Sequence, residues 1–108
     1  MSDSRHIEKQ YAFEVYPKRE LTIVRGEGAL LWDDDGRQYI DCTAGIGVAN
    51  VGHCNPMVQE AIRRQAGTLI TCPGIFYNDV RAAAMEKLVQ VAPAGLTRVF
   101  LSNSGTEA

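Results

Sequence analysis

The residues SNSGTEA at positions 102–108 combine types that can bind an anion. Gly105 has no Cβ, so a ligand can approach its backbone closely. Ser104 and Thr106 add hydroxyl donors on either side of that glycine. The N–H groups of a first helical turn, at the positive end of the helix dipole, bind phosphate well. These residues therefore predict an anion cup, with phosphate as the expected ligand.

An ordinary helix start explains the same residues. Ser104 and Glu107 fit the S-x-x-E capping box, in which two side chains satisfy backbone N–H groups at the beginning of a helix. On local chemistry alone the capping box is the favoured interpretation of this turn, and the anion cup stays open beside it.

Two other stretches contain residue types found in binding sites. One, AGIGVANVG at positions 44–52, has a G-x-G, but Asn50 stands where a dinucleotide-binding loop needs its third glycine. We therefore expect a small-residue loop against which another segment packs closely. In the other, His53 and Cys54 are neighbours, yet a zinc site needs about four ligands in a recognisable spacing. We expect both to pack or to face a loop, and we predict no metal site.

A β-meander is predicted before the glycine-rich loop. The strand-like segments between residues 21 and 42 are LTIVR, ALLWD and RQYIDC. Asp35-Gly36 is a good hairpin signal, because both residue types tolerate the positive φ that such a turn needs.

Two helices are predicted after that loop. Asn55 caps the first, and Pro56 suits its first position, where the missing N–H costs nothing. Asn78-Asp79 begins the second, which stops near Pro93. The apolar stripes at helical spacing are Met57, Val58, Ala61, Ile62, Ala66 and Leu69 in the first, and Val80, Ala84, Leu88 and Val91 in the second.

The predicted fold class is α/β. TRVFL at 97–101 is a strand apolar enough for a covered sheet. We predict an arm over residues 1–20, a small β-meander with a glycine-rich loop over 21–55, and the opening of a larger α/β part over 56–108. The chain offers no second strand like 97–101. It therefore behaves like the opening third of a larger protein, and alone it should bury too little apolar surface to pack well.

Composition excludes several classes of protein. The formal net charge is −2, and acidic and basic residues are interleaved, so there is no basic stripe for nucleic acid. No apolar run approaches the length of a membrane span. The N-terminus lacks the apolar core of a signal peptide, and the three cysteines are scattered. We predict a cytoplasmic protein that binds neither membrane nor nucleic acid.

The ordered motifs resemble the N-terminal portion of class III aminotransferases, pyridoxal-phosphate (PLP) enzymes of fold type I. The family opening runs G-x-G-x-x-x-W-D-x-x-G-x-x-Y-x-D, then a glycine-rich stretch, G-H-x-x-P and N-S-G-x-E-A. All of its elements are present at Gly26, Gly28, Trp32, Asp33, Gly36, Tyr39, Asp41, Gly52, His53, Pro56 and 103–108. Within the family, the motifs are most similar to the acetylornithine aminotransferase group and its lysine-biosynthesis branch.

The resemblance implies roles for individual residues. Ser104, Gly105 and Thr106 match the turn that binds the cofactor phosphate, which makes the anion cup the favoured interpretation. Tyr16 matches a position near the substrate, and Ile46 one at the substrate entrance. Ornithine aminotransferases tend to carry an aromatic residue at the second position, so Ile46 argues mildly against free ornithine. Plain packing remains an equal alternative for Tyr16 and Ile46.

The resemblance also implies which groups are missing. The Schiff-base lysine, the acidic partner of the pyridinium nitrogen and the carboxylate-binding arginine lie later in the family. Lys9, Lys18 and Lys87 match none of these positions, so we assign no catalytic residue and expect an N-terminal fragment that is inactive alone. The implied parent is a homodimer with its active site between subunits.

The implied reaction moves a terminal amino group between an acylated ornithine, or a lysine held on an amino-group carrier protein, and 2-oxoglutarate or glutamate. One alternative is an ornithine, 4-aminobutyrate or other ω-amino acid aminotransferase of the same class. An alternative of another class is a non-enzymatic module that binds phosphate or a protein partner.

Overall fold

The computed structural model describes residues 4–108 in two compact units, which divide between Gly67 and Thr68. The first unit contains α1 (Ser4–Tyr11), β1 (Ile23–Glu27), β2 (Leu30–Asp33), β3 (Gln38–Ile40), a single turn α2 (Ala44–Gly47) and α3 (Pro56–Ala66). The second contains α4 (Asp79–Val91). The predicted domain boundaries at residues 20 and 55 stay predictions.

The predicted β-meander is confirmed. Strands β1, β2 and β3 form an antiparallel sheet in that order. The β2–β3 hairpin turns through Gly36, whose φ of +81° is the left-handed value predicted for this position. On the β1–β2 pair, the Arg25 guanidinium lies 4.2 Å from the centre of the Trp32 ring that it faces across the strands. This cation–π contact adds a side-chain tie to the backbone ladder.

Asp33 holds the β2–β3 hairpin closed. Its side chain is buried and accepts hydrogen bonds from the Tyr39 hydroxyl at 2.6 Å and from the backbone N–H groups of Arg37 at 2.8 Å and Asp35 at 3.1 Å. The bond from Tyr39, followed by those from the backbone, lowers the pKa of Asp33. The same bond raises the pKa of Tyr39. A buried carboxylate with three donors is satisfied, and it ties the hairpin's turn to its returning strand.

Both predicted helix starts are confirmed. The Asn55 side chain accepts from the backbone N–H groups of Met57 at 3.0 Å and Val58 at 3.3 Å, and Pro56 is the first residue of α3. The Asn78 side chain accepts from the Arg81 N–H at 2.8 Å and caps α4. These bonds satisfy N–H groups that have no partner inside the helix.

The arm contains a helix that the sequence did not predict. Lys9 pairs with Glu20 at 2.8 Å, and Lys18 pairs with Glu8, so the segment after α1 folds back beside it. All four side chains are largely exposed, and such ion pairs stabilise little. An eight-residue polar helix has a weak sequence signal, because helices of this length are marginal without tertiary contacts.

The predicted strand at 97–101 does not join a sheet. Within residues 4–108 the meander holds all the strands, and 97–101 has no ladder partner. Phe100 is 90% exposed and Leu101 52%. A β-strand exists only through hydrogen bonds to a neighbour, so an apolar segment without one forms no strand.

Apolar side chains are poorly covered throughout the described part of the chain. Between residues 4 and 108 no hydrophobic residue is buried, and the residue that is buried as a whole is polar, Asp33. This agrees with the expected shortage of buried apolar surface. Over the same residues, no helix has the length and apolar content needed to cross a membrane.

Candidate functional site

The turn at 102–108 has the hydrogen-bond pattern of a helix start. The Glu107 N–H donates to the Ser104 hydroxyl oxygen at 3.3 Å, and the Ala108 N–H donates to the Ser104 carbonyl at 3.2 Å. The Glu107 carboxylate reaches back and accepts from the Asn103 N–H at 2.7 Å. This is a capping-box arrangement whose glutamate contacts the residue before the serine. The local interpretation that the sequence favoured is therefore present in the structure.

The cap leaves two backbone donors of the turn unused. Among the described residues, the N–H groups of Gly105 and Thr106 meet no acceptor. A Cβ built on Gly105 would meet no atom within 4 Å, so packing of the described chain does not require glycine there. Capping and anion binding are thus compatible, because they use different N–H groups of one turn. Gly105 and Thr106 can donate to a phosphate while Ser104 and Glu107 hold the turn.

The loop that carries Ile46 has an unusual backbone. All four residues of α2 have positive φ, at 50° for Ala44, 60° for Gly45, 62° for Ile46 and 84° for Gly47. α2 is therefore a left-handed turn, and Ala44 and Ile46 each cost about 1–2 kcal/mol in this conformation. The predicted irregular loop is confirmed, with a strained turn at its start. Such strain is kept only where the surroundings determine it, and it concentrates at functional sites.

Asp41 anchors that turn from the end of the meander. Its carboxylate accepts from the N–H groups of Thr43 and Ala44, both at 2.9 Å, and lies 2.6 Å from Nε2 of His53. The bond to His53, then those from Ala44 and Thr43, lower the pKa of Asp41. The carboxylate is therefore ionised near neutral pH and can only accept, so Nε2 of His53 donates.

His53 is fixed at its own backbone as well. Its N–H donates to the Gly28 carbonyl at 2.8 Å, and its carbonyl accepts from the Gly28 N–H at 2.9 Å. Its ring packs on Gly26, where an added Cβ would lie 2.8 Å from the ring's Cγ. The glycine-rich loop therefore begins and ends on the meander. His53 does pack at a loop, as predicted.

The pairing of Asp41 with His53 was not predicted. Asp41 followed two residues later by Thr43 is a signal for a side chain bonded to its own turn. The partner twelve residues away could not be read from spacing, because the intervening loop has no regular period.

Tyr16 lies in the arm, with 78% of its surface exposed. It borders a cavity whose lining residues all fall between Glu8 and Glu20. Tyr16 and Ile46 belong to the first compact unit, whereas Ser104, Gly105 and Thr106 belong to the second. Within each unit the candidate side chains are open, and their functional roles stay predictions.

The match to a known family covers most of the chain. Residues 12–108 match the family described as aminotransferase class-III. The chain belongs to the class-III aminotransferase family.

Two curated aminotransferases are similar in sequence to most of this chain. The chain is 52% identical over 101 residues to the LysW-aminoadipate semialdehyde transaminase of Deinococcus radiodurans, a match that covers 94% of this chain and 24% of the relative. It is 44% identical over 106 residues to the acetylornithine aminotransferase of Methanopyrus kandleri, a match that covers 98% of this chain and 27% of the relative. The chain thus spans about a quarter of the length of the curated relatives it matches.

Solved structures support the predicted fold type. The acetylornithine aminotransferase of Elizabethkingia anophelis matches with a TM-score of 0.88 and 29% identity, over 96% of this chain and 27% of that one. The ornithine aminotransferase of Toxoplasma gondii matches with a TM-score of 0.88 and 35% identity, over 97% and 24%. A taurine:2-oxoglutarate aminotransferase from Bifidobacterium kashiwanohense, solved with PLP and glutamate, matches at 0.84 with 26% identity, over 94% and 24%. The α/β fragment of an aminotransferase fold is therefore confirmed.

Proposed function

We propose that this chain is the N-terminal part of a PLP-dependent aminotransferase. The complete enzyme moves a terminal amino group between an acylated ornithine, or a carrier-bound lysine, and 2-oxoglutarate. The observation that carries the proposal is the turn at Gly105 and Thr106, which keeps two N–H groups free for an anion in a chain of this family. The names of the relatives support the substrate class.

The residues of this chain bind and orient rather than react. Gly105 and Thr106 donate backbone N–H groups to the cofactor phosphate, and the Thr106 hydroxyl adds a donor. The Ser104 side chain holds the turn through its bond from Glu107. When bound, PLP supplies the electron sink that lets an amino group be exchanged for a carbonyl.

Tyr16 and Ile46 are the residues that we propose for substrate binding. Both side chains are exposed, at 78% and 91%, and so are available to a ligand or to other parts of the enzyme. An aliphatic Ile46 presents apolar surface to the acyl part of an acylated or carrier-bound substrate. Free ornithine, with a charged amine at that end, would lose solvation there without gaining a partner.

The proposal also includes the oligomeric state and the cellular location of the protein. We infer a cytoplasmic homodimer, in which the arm and the glycine-rich loop contact the second subunit. Exposed apolar residues of the arm, such as Phe13 at 89%, support a contact of this kind. The similarity to the LysW-aminoadipate semialdehyde transaminase favours an amino-group carrier protein as a partner.

The proposal is tested by amino transfer in the complete protein. The PLP-loaded enzyme is assayed with 2-oxoglutarate and N-acetylornithine, carrier-bound lysine, ornithine or 4-aminobutyrate, and glutamate formation is followed. We expect kcat/KM for one of the first two donors to exceed that for the last two. A preference for ornithine or 4-aminobutyrate would show that the proposed substrate class is wrong and that the alternative within the same class of enzymes is right. Absence of transfer with every donor would refute the enzyme assignment.

A further inference from the structure

The conformation of α2 is not explained by its own sequence. Ala44 and Ile46 are held at positive φ beside Gly45 and Gly47, although residues with a Cβ disfavour that region. Within the turn, the N–H groups of Ile46 and Gly47 donate to the Thr43 carbonyl at 2.9 and 3.2 Å. These short-range bonds close the turn but do not choose its hand. Contacts outside it must therefore select the left-handed form.

The Asp41 carboxylate supplies such a contact at the start of the turn. Oδ1 accepts from both Thr43 and Ala44, so it directs two consecutive N–H groups to one point. Asp41 is itself attached to the meander, because its N–H donates to the Ala29 carbonyl at 2.8 Å. Only 7% of its side chain is exposed, so water competes weakly for these bonds.

His53 supplies the contact at the far end of the loop. Its Nε2 binds the second carboxylate oxygen of Asp41, and its backbone pairs with Gly28. Each of the two carboxylate oxygens therefore serves one end of the loop. The bond between Asp41 and His53 is charge-assisted at 2.6 Å, and it joins the two ends of the loop in addition to the backbone pair with Gly28.

The side chain of Ile46 is not held in place by packing. Its side chain is 91% exposed, so packing within the described chain does not orient it. The direction of its Cβ follows from the backbone of the turn alone. Whatever fixes that backbone fixes where Ile46 stands.

We propose that Asp41 and His53 are positioning residues that hold the left-handed turn and thereby set the place of Ile46 at the substrate entrance. The substrate part of this inference rests on the proposed function, whereas the anchoring of the turn does not. Neither side chain needs to touch the substrate. Loss of the pair is expected to weaken substrate capture while leaving the phosphate turn at 104–106 unchanged.

The test uses Asp41→Ala and His53→Ala in the complete PLP-loaded enzyme. We expect KM for the amino donor to rise about tenfold or more, since a displaced positioning group costs up to about a hundredfold. We expect kcat and PLP affinity to stay near the wild-type values. Hydrogen–deuterium exchange at the N–H groups of Ile46 and Gly47 should become faster. Asp41→Asn and His53→Gln should recover part of each effect, because their amides retain an acceptor and a donor.

Asp33→Ala is the matched control. Asp33 is also a buried carboxylate of the meander with two backbone donors and one side-chain donor, but it serves the hairpin. Its loss should lower stability without changing KM or exchange in the turn. If an alanine variant of the pair does not fold, KM and hydrogen exchange of Asp41→Asn and His53→Gln are compared with those of Asp33→Ala instead.

The outcomes separate the two proposals. Folded variants of the pair with wild-type KM and wild-type exchange would overturn the positioning role. An equal rise of KM in Asp33→Ala would also overturn it, since a general loosening would then explain the effect. Faster exchange in an enzyme that transfers no amino group would support the anchoring and refute the proposed function.

Discussion

At the scale of single residues, the turn at 104–106 offers backbone N–H groups both for capping and for the proposed binding of phosphate. Ser104 and Glu107 use their side chains to cap the helix start, and the N–H groups of Gly105 and Thr106 meet no acceptor within the described residues. The division is possible because a helix start has four N–H groups without partners, and a cap satisfies only some of them. The sequence resemblance predicts phosphate binding at this turn, and the geometry adds which of its backbone donors have no acceptor in the described residues.

The donor role of the Thr106 backbone can be tested by Thr106→Pro in the complete enzyme. Proline lacks the N–H but suits the first turn of a helix, so the turn itself should persist. Losing a hydrogen bond to a charged group costs about 1.5–3 kcal/mol, so PLP affinity should fall roughly tenfold to a hundredfold. The measurement is a PLP titration followed by cofactor absorbance.

Thr106→Ala is the matched control, because it removes the hydroxyl and keeps the N–H. It should weaken PLP binding less than Thr106→Pro does. Equal affinity in the proline variant and the wild type would contradict the phosphate assignment.

At the scale of elements, caps rather than apolar packing fix the ends of α3 and α4. Asn55 satisfies two N–H groups of α3, and Asn78 satisfies one of α4. Neither helix buries a side chain in its own unit. Helices so weakly covered depend on their termini more than a core helix does.

The cap of α3 is tested by Asn55→Ala in the complete protein. Two N–H groups lose their acceptor, so the free energy of unfolding should fall by about 1 kcal/mol. Chemical denaturation monitored by circular dichroism measures the change. Asn55→Asp keeps an acceptor at the same place and should restore most of the loss. A stability loss of the same size in Asn55→Asp would show that the cap is not the cause.

At the scale of the whole molecule, the described chain presents apolar surface that it cannot cover. Phe100, Ile46 and Tyr77 are each at least 90% exposed, and residues 97–101 have no strand beside them. Open apolar segments with free N–H and C=O groups tend to associate. Under the proposed function, the remaining chain and a second subunit would cover these surfaces.

The 108-residue chain by itself is therefore expected to lack a cooperative thermal transition and to form aggregates. It should also transfer no amino group, because it has no residue matching the Schiff-base lysine. Calorimetry, light scattering and a glutamate-formation assay measure the three properties. A cooperatively melting monomer would instead favour the non-enzymatic binding module, and any amino transfer would contradict the assignment of no catalytic residue.

The sequence by itself determined the local elements and the family. The hairpin at Asp35-Gly36 and the caps at Asn55 and Asn78 are decided by residues a few positions apart, so spacing was enough to predict them. The motif at 103–108 was recognisable for the same reason. Local patterns did not predict α1, because a helix of eight residues is marginal by itself. Its ion pairs are with residues 18–20.

Only the tertiary structure decided the features that depend on distant partners. It joined Asp41 to His53 across a loop without a regular period, and it gave Ala44 and Ile46 a backbone that their side chains disfavour. A residue's type and spacing set what it can do locally. Which distant residue it contacts, and how strained its backbone becomes, depends on contacts that form only when the chain is folded.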